Sequence, residues 1–134
     1  MNTPIWIATE SVRLAHDEQI ADHGGSAGIR DLGLLESALH KPQNLFAYMD
    51  PSPSIYRLAA SYAFGLARNH PFIDGNKRTA LVVSVGFLLI NGFELIAPKE
   101  ERYLQFLGLA EGTEDEESMT AWFERNCRSK AQAR

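Results

Sequence analysis

Between Ala80 and Ile90 the chain runs through Leu, Val, Phe and Ile side chains, interrupted by Ser84. The run is too short to cross a bilayer, which takes about 20 residues. Framed by Asn76 and Gly92, it predicts a helix over about 76–91 with the glycine as its stop. A helix apolar on every side has no face to offer water, so it belongs in the middle of a bundle. That one segment commits the chain to helices packed around it.

The other apolar residues also recur at helical spacing. Val12, Ala15, His16, Gln19, Ile20 and His23 share one face of a first helix, ended by Gly24 and Gly25. Leu34, Leu35, Ala38 and Leu39 mark a short second helix that Pro42 should stop. Ser52 as N-cap and Pro53 at the first helical position open a third, with the stripe Ile55, Leu58, Ala59, Tyr62, Ala63 and Leu66. This helix should end near Asn69, because His70 precedes Pro71 and is pushed toward extended backbone. After the apolar helix, Phe93 to Ala97 reads as a short extended piece, and Pro98 starts a fifth helix carrying Tyr103, Phe106, Leu107 and Ala110. Thr113 and Glu116 form a capping-box pattern for a sixth, with Met119, Trp122, Phe123 and Cys127 inward. The expected class is all-α, a bundle of about six helices around a central apolar one. No repeat or low-complexity stretch divides the chain, so 1–134 reads as a single domain.

Charge and cysteine content narrow the function. Thirteen basic against 17 acidic side chains leave a net charge of −4, without the positive field of a general nucleic-acid binder. One cysteine, Cys127, excludes an internal disulfide and a cysteine-built zinc site. The stretch from Met1 to Trp6 has no basic segment ahead of an apolar one, as a secretory leader would. The expectation is a soluble cytoplasmic protein that engages neither nucleic acid nor membrane directly. His16 and His23 sit two helical turns apart, roughly 10 Å, so they cannot share a metal and are expected to be structural. The acidic run Glu114 to Glu117 suits the first turn of the last helix, with Arg125, Arg128 and Lys130 at its other end.

Chemistry concentrates in His70-Pro71-Phe72-Ile73-Asp74-Gly75-Asn76-Lys77-Arg78. Gly75 permits positive φ or close approach to the backbone. The amides after it open a helix, where the positive end of the dipole favours phosphate oxygens. Lys77 and Arg78 violate the preference of a first turn for acids, a conflict that an anion bound there would resolve. Asp74 offers an oxygen ligand for Mg²⁺ bridging the same phosphates. An imidazole such as His70 can take a proton from an attacking hydroxyl near neutral pH. The parts add up to nucleotide-dependent group transfer, and not to a Walker A loop, which needs a second glycine before Lys-Ser/Thr.

At these residues the chain resembles the Fic/Doc family, whose core pattern is His-Pro-Phe-x-Asp/Glu-Gly-Asn-Gly/Lys-Arg. Gly24-Gly25, Gly28-Ile29-Arg30-Asp31, Leu34 through Leu39 and Ala63 through Asn69 look like its short Doc (death-on-curing) branch. The resemblance implies a Fic-like all-α fold with His70 as general base and Phe72 as a core anchor. It implies Asp74 as the Mg²⁺ ligand and Gly75, Asn76, Lys77 and Arg78 as the phosphate cradle. Lys41 to Pro53 would be a flap, in family terms a short β-hairpin, aligning the target through Phe46 and Tyr48.

Two departures from the AMP-transferring pattern stand out: Lys77 replaces a glycine, and Leu81 stands where a second arginine is usual. Doc-type members share both and resemble kinases that pass the γ-phosphoryl group of ATP to a threonine of translation elongation factor Tu. The implied reading is a toxin kinase of a toxin–antitoxin system; the alternatives are an AMP transferase and a non-catalytic regulator. An inhibitory Ser/Thr-x-x-x-Glu-Gly/Asn motif is approached by Thr113 with Glu117 and Thr120 with Glu124, but Ser118 and Arg125 leave both incomplete. The expected brake is therefore a separate antitoxin of the Phd kind. Arg30 and Arg68 lie outside the core pattern; Arg30 receives no role, and Arg68, two residues before His70, reads either as directed toward the target or antitoxin or as a surface arginine.

Overall fold

Small residues decide the centre of the fold. The structure, a computed structural model, describes residues 3–130; Met1 and Asn2, where the leader reading begins, and the last four residues of the 1–134 unit lie outside it. Among the described residues the helices are α1 (Thr9–His23), α2 (Leu32–Tyr48), α3 (Ile55–Arg68), α4 (Asn76–Ile90), α5 (Lys99–Glu111) and α6 (Glu116–Asn126). Two short strands, β1 (Phe93–Leu95) and β2 (Cys127–Ser129), pair antiparallel with Glu94 opposite Arg128. The all-α expectation holds. No described helix is long and apolar enough to cross a membrane.

The central helix is α3 rather than the more apolar α4. It packs against α2, α4, α5 and α6, and Ala59, Ala60, Ala63 and Ala67 let those neighbours come close. At Gly65 the approach is closest: a Cβ there would lie 2.7 Å from the Cβ of Ala38 on α2. By contrast α4 leaves Val82, Leu89 and Ile90 exposed. Hydropathy measured how apolar α4 is, whereas centrality follows from how many partners a helix can accommodate, and small side chains set that.

Three element boundaries differ from expectation. Helix α2 continues through Pro42 to Tyr48, so 41–53 holds no β-hairpin. A proline inside a helix costs roughly 3 kcal/mol, and here the turn beyond it buries Leu45 and Phe46 against the core, which offsets that loss. Helix α3 begins two residues late: Ser54, not Ser52, is the N-cap, its hydroxyl accepting the Arg57 N–H at 3.1 Å. Helix α6 is capped by Asp115 and Ser118, which exchange hydrogen bonds at 2.8 and 2.9 Å, and not by Thr113 and Glu116. Glu116 is turned instead toward α2 and α3, bridging Lys41 at 2.9 Å and Arg57 at 2.5 Å.

Candidate functional site

Helix α3 ends at Arg68 with Asn69 as its cap, and the residue after the cap takes an unexpected backbone. His70 has φ +48°, in the left-handed region, where the proline after it predicted extended geometry. A left-handed residue just past a helix is a common terminator, usually glycine; a side chain there costs on the order of 1–3 kcal/mol. The compensation comes from the α1–α2 loop. Arg30 donates through Nε to the His70 carbonyl at 2.6 Å and through Nη2 to the Asn69 carbonyl at 2.8 Å. The N–H groups of Arg30 and Asp31 reach the Pro71 carbonyl, and Ile73 N–H reaches Gly28. The chemistry-bearing loop is thus zipped to 28–31 through backbone bonds.

Phe72 anchors the loop, fully buried and stacked on His16 with ring centres 3.8 Å apart. Asn76 clamps it from the other side: its Oδ1 accepts the Phe72 N–H at 2.9 Å and its Nδ2 donates to the Phe72 carbonyl at 3.0 Å. The Asn76 side chain is therefore spent on the loop, and what it can offer a phosphate is its main-chain N–H. His16 Nε2 donates to the Asp74 carbonyl at 2.8 Å. Its structural role, expected in general terms, is specifically to support this loop.

Asp74 faces solvent with both oxygens placed. Oδ1 accepts the Gly75 N–H at 2.8 Å and Oδ2 the Ser26 N–H at 3.2 Å. Those bonds, Gly75 first and Ser26 next, hold its carboxyl below the usual carboxylate range; desolvation opposes them, and the charge of Arg78 adds a smaller push downward. Gly25 sits at φ +115°, which favours glycine, and a Cβ there would stand 2.6 Å from Asp74 Oδ2 and push the carboxylate out of place. Each carboxylate oxygen keeps a lone pair free. No cluster of three metal-ligating side chains occurs among the described residues. Asp74 is the carboxylate here that could hold a hard cation of the kind that takes one or two carboxylates together with phosphate and water.

Gly75, left-handed at φ +75°, turns the chain into α4. The first bond back into the loop is Thr79 N–H to the Gly75 carbonyl, which leaves the amides of Asn76, Lys77 and Arg78 without helical acceptors. Lys77 is exposed, and Arg78 is half-buried with Nη2 at 3.4 Å from the Gly24 carbonyl. His70, Asp74, Gly75, Asn76, Lys77 and Arg78 all line one cleft of about 890 Å³. Its opposite wall is α5, which contributes Lys99, Arg102, Tyr103 and Phe106. Among the described residues, Asp74 is the only acid in that lining.

Sequence reasoning missed the α5 wall, although Lys99, Arg102, Tyr103 and Phe106 fall at i, i+3, i+4 and i+7, one helical face. It also left Arg30 unassigned: the stretch Gly28-Ile29-Arg30-Asp31 stood out only as a resemblance, and the reach of its guanidinium to the Asn69 and His70 carbonyls is a tertiary contact. Arg68 does not join the cleft: its guanidinium lies against Gly112, where a Cβ would sit 2.8 Å from Nη1. Phe46 packs edge-on to Trp6 and Tyr48 is 79% exposed; neither lines the cleft. A second groove, about 640 Å³ between α3 and α6, is lined by Arg57, Asp115, Glu116, Glu117 and Glu124 and holds none of the candidate residues.

Residues 6–88, from the segment ahead of α1 through most of α4, match the model of the Fic/DOC family. The chain is similar to Toxin Doc of Mycolicibacterium smegmatis, 45% identical over 74 residues that make up 55% of this chain and 57% of that protein. It is also similar to Protein kinase doc of Escherichia phage P1, 34% identical over 94 residues, 70% of this chain and 74% of the phage protein. The match thus spans a little over half the length of the mycobacterial relative. Helices α5 and α6 lie beyond the family match.

Proposed function

The chain belongs to the Fic/Doc family, and from that premise we propose that it is the toxin of a toxin–antitoxin pair, acting as a Mg-ATP-dependent protein kinase. The observation that carries this reading is the convergence, in one cleft, of His70, a single ionised carboxylate and the cationic, amide-rich start of α4. His70 takes the proton of a target hydroxyl, and the freed oxygen attacks the γ-phosphorus of ATP. The bond from that phosphorus to the β,γ-bridging oxygen breaks and ADP leaves with the electron pair. The amides of Asn76, Lys77 and Arg78, with the two side-chain cations, hold the phosphate oxygens as their charge redistributes. Asp74 would hold Mg²⁺, which when bound neutralises phosphate charge.

Kinase chemistry is favoured over AMP transfer by two positions. Lys77 puts a long cation where the AMP-transferring pattern has glycine, and Leu81, one turn on, presents an apolar side chain to the cleft where that pattern has arginine. The phage relative, Protein kinase doc, supports the same choice by its name. The proposed target is a threonine of elongation factor Tu and the proposed site of action the cytoplasm.

The proposed brake is an antitoxin of the Phd kind. Glu117 and Glu124, the glutamates of the two incomplete inhibitory motifs, line the α3–α6 groove and not the phosphate cleft. Expressed alone, the wild-type chain should halt translation and growth, and elongation factor Tu from those cells should gain one phosphoryl group by mass. His70→Ala should abolish both effects. Normal growth with folded wild-type protein present would count against the toxin reading.

A further inference from the structure

One residue closes three successive carbonyls beside the candidate base. Arg30 reaches Asn69 O through Nη2, His70 O through Nε and Pro71 O through its own N–H, at 2.8, 2.6 and 2.8 Å. Asn69 and His70 are the first residues past α3, where carbonyls lack helical partners and the dipole is negative, so a guanidinium is favoured by both charge and hydrogen bonding. Its planar fork suits two neighbouring acceptors in a way an ammonium does not. His70 sits in the middle of the three, at φ +48°, the one non-glycine positive φ among the described residues. Arg30 is not among the residues that line the cleft, and its guanidinium is turned to the Asn69 and His70 carbonyls.

We propose that Arg30 is a positioning residue: by clamping the carbonyls of Asn69 and His70 it holds His70 in the left-handed conformation that aims the imidazole into the cleft. The inference rests on the phosphoryl-transfer reading for its kinetic consequence, but its conformational consequence stands apart from it. Released from Arg30, residue 70 relaxes to the extended backbone that Pro71 favours, and its ring leaves the reacting hydroxyl. Misplacement of a catalytic group by about 1 Å costs roughly 10²-fold in rate.

The test uses Arg30→Ala and Arg30→Lys in the full chain, with ATP and elongation factor Tu. Arg30→Ala should lower kcat by about 10²-fold while KM for ATP stays within about twofold. Arg30→Lys, able to reach one carbonyl at a time, should recover part of kcat. The backbone angle is read separately, from the His70 amide–Hα coupling and Cα shift, and should change from positive to negative φ in the folded Arg30→Ala protein. Should that variant fail to fold, Arg30→Lys carries the same two readouts. If wild type transfers no phosphoryl group, the functional reading fails while the coupling still judges the clamp. A positive φ retained without Arg30, or an unchanged kcat, overturns the proposal.

Discussion

Asp74 carries its charge because two backbone N–H groups, from Gly75 and Ser26, hydrogen-bond the ionised form. Its folded pKa lies below the unfolded value, so folding favours the carboxylate. The resulting stabilisation is present above the unfolded pKa, near 4, and is lost as pH falls through the lower folded value. Asp115, bonded to Ser118, titrates in the same direction. Melting temperature should therefore fall less steeply between about pH 5 and 3 in Asp74→Asn than in wild type, and less steeply still with Asp115→Asn added; scanning calorimetry across pH measures this. Asn76 makes a different kind of contribution. Replacing it with Ala leaves the buried N–H and carbonyl of Phe72 without their side-chain partners, and should cost about 2–4 kcal/mol in urea unfolding. Cys127 lies half-buried, and burial pushes its thiol up to about 11. It should alkylate slowly at pH 8 when folded and readily in urea.

Among the helices, stability hinges on close approach. Gly65→Ala would set a methyl group 2.7 Å from Ala38 Cβ and 3.1 Å from its Cα, which is backbone and cannot swing aside. A helical Gly→Ala change ordinarily gains up to about 1 kcal/mol, but here overpacking should reverse the sign to a loss of about 1–3 kcal/mol. Gly86→Ala on α4, with nothing within 4 Å of the added Cβ, is the matched control and should stabilise. Paired urea titrations give both values. The same packing logic explains which boundaries were legible beforehand. Glycine and left-handed stops at Gly24 and Gly92 act locally, so patterns reveal them. Pro42 misleads because its local penalty is outweighed by burial that depends on Trp6 and the core, far away in sequence. Asp115 takes the cap from Thr113 because the latter's hydroxyl is drawn to the Gly108 carbonyl.

For the molecule as a whole, the net charge of −4 conceals a division of labour. Lys77, Arg78, Lys99 and Arg102 gather on the cleft, whereas Asp115, Glu116, Glu117 and Glu124 gather on the α3–α6 groove. Half of the cleft was legible in the sequence, because Lys77 and Arg78 offend the dipole at the start of α4 and the loop before them is contiguous. The other half was not, since bringing α5 opposite α4 is a tertiary event, as is the reach of Arg30 to α3. The central claim is γ-phosphoryl transfer from ATP to a protein hydroxyl, assisted by His70. ATP labelled separately at the α- and γ-phosphorus, incubated with Mg²⁺, this protein and elongation factor Tu, tests it most directly. The account predicts that only γ label enters the factor and that His70→Ala prevents it; label entering from the α position alone would contradict it.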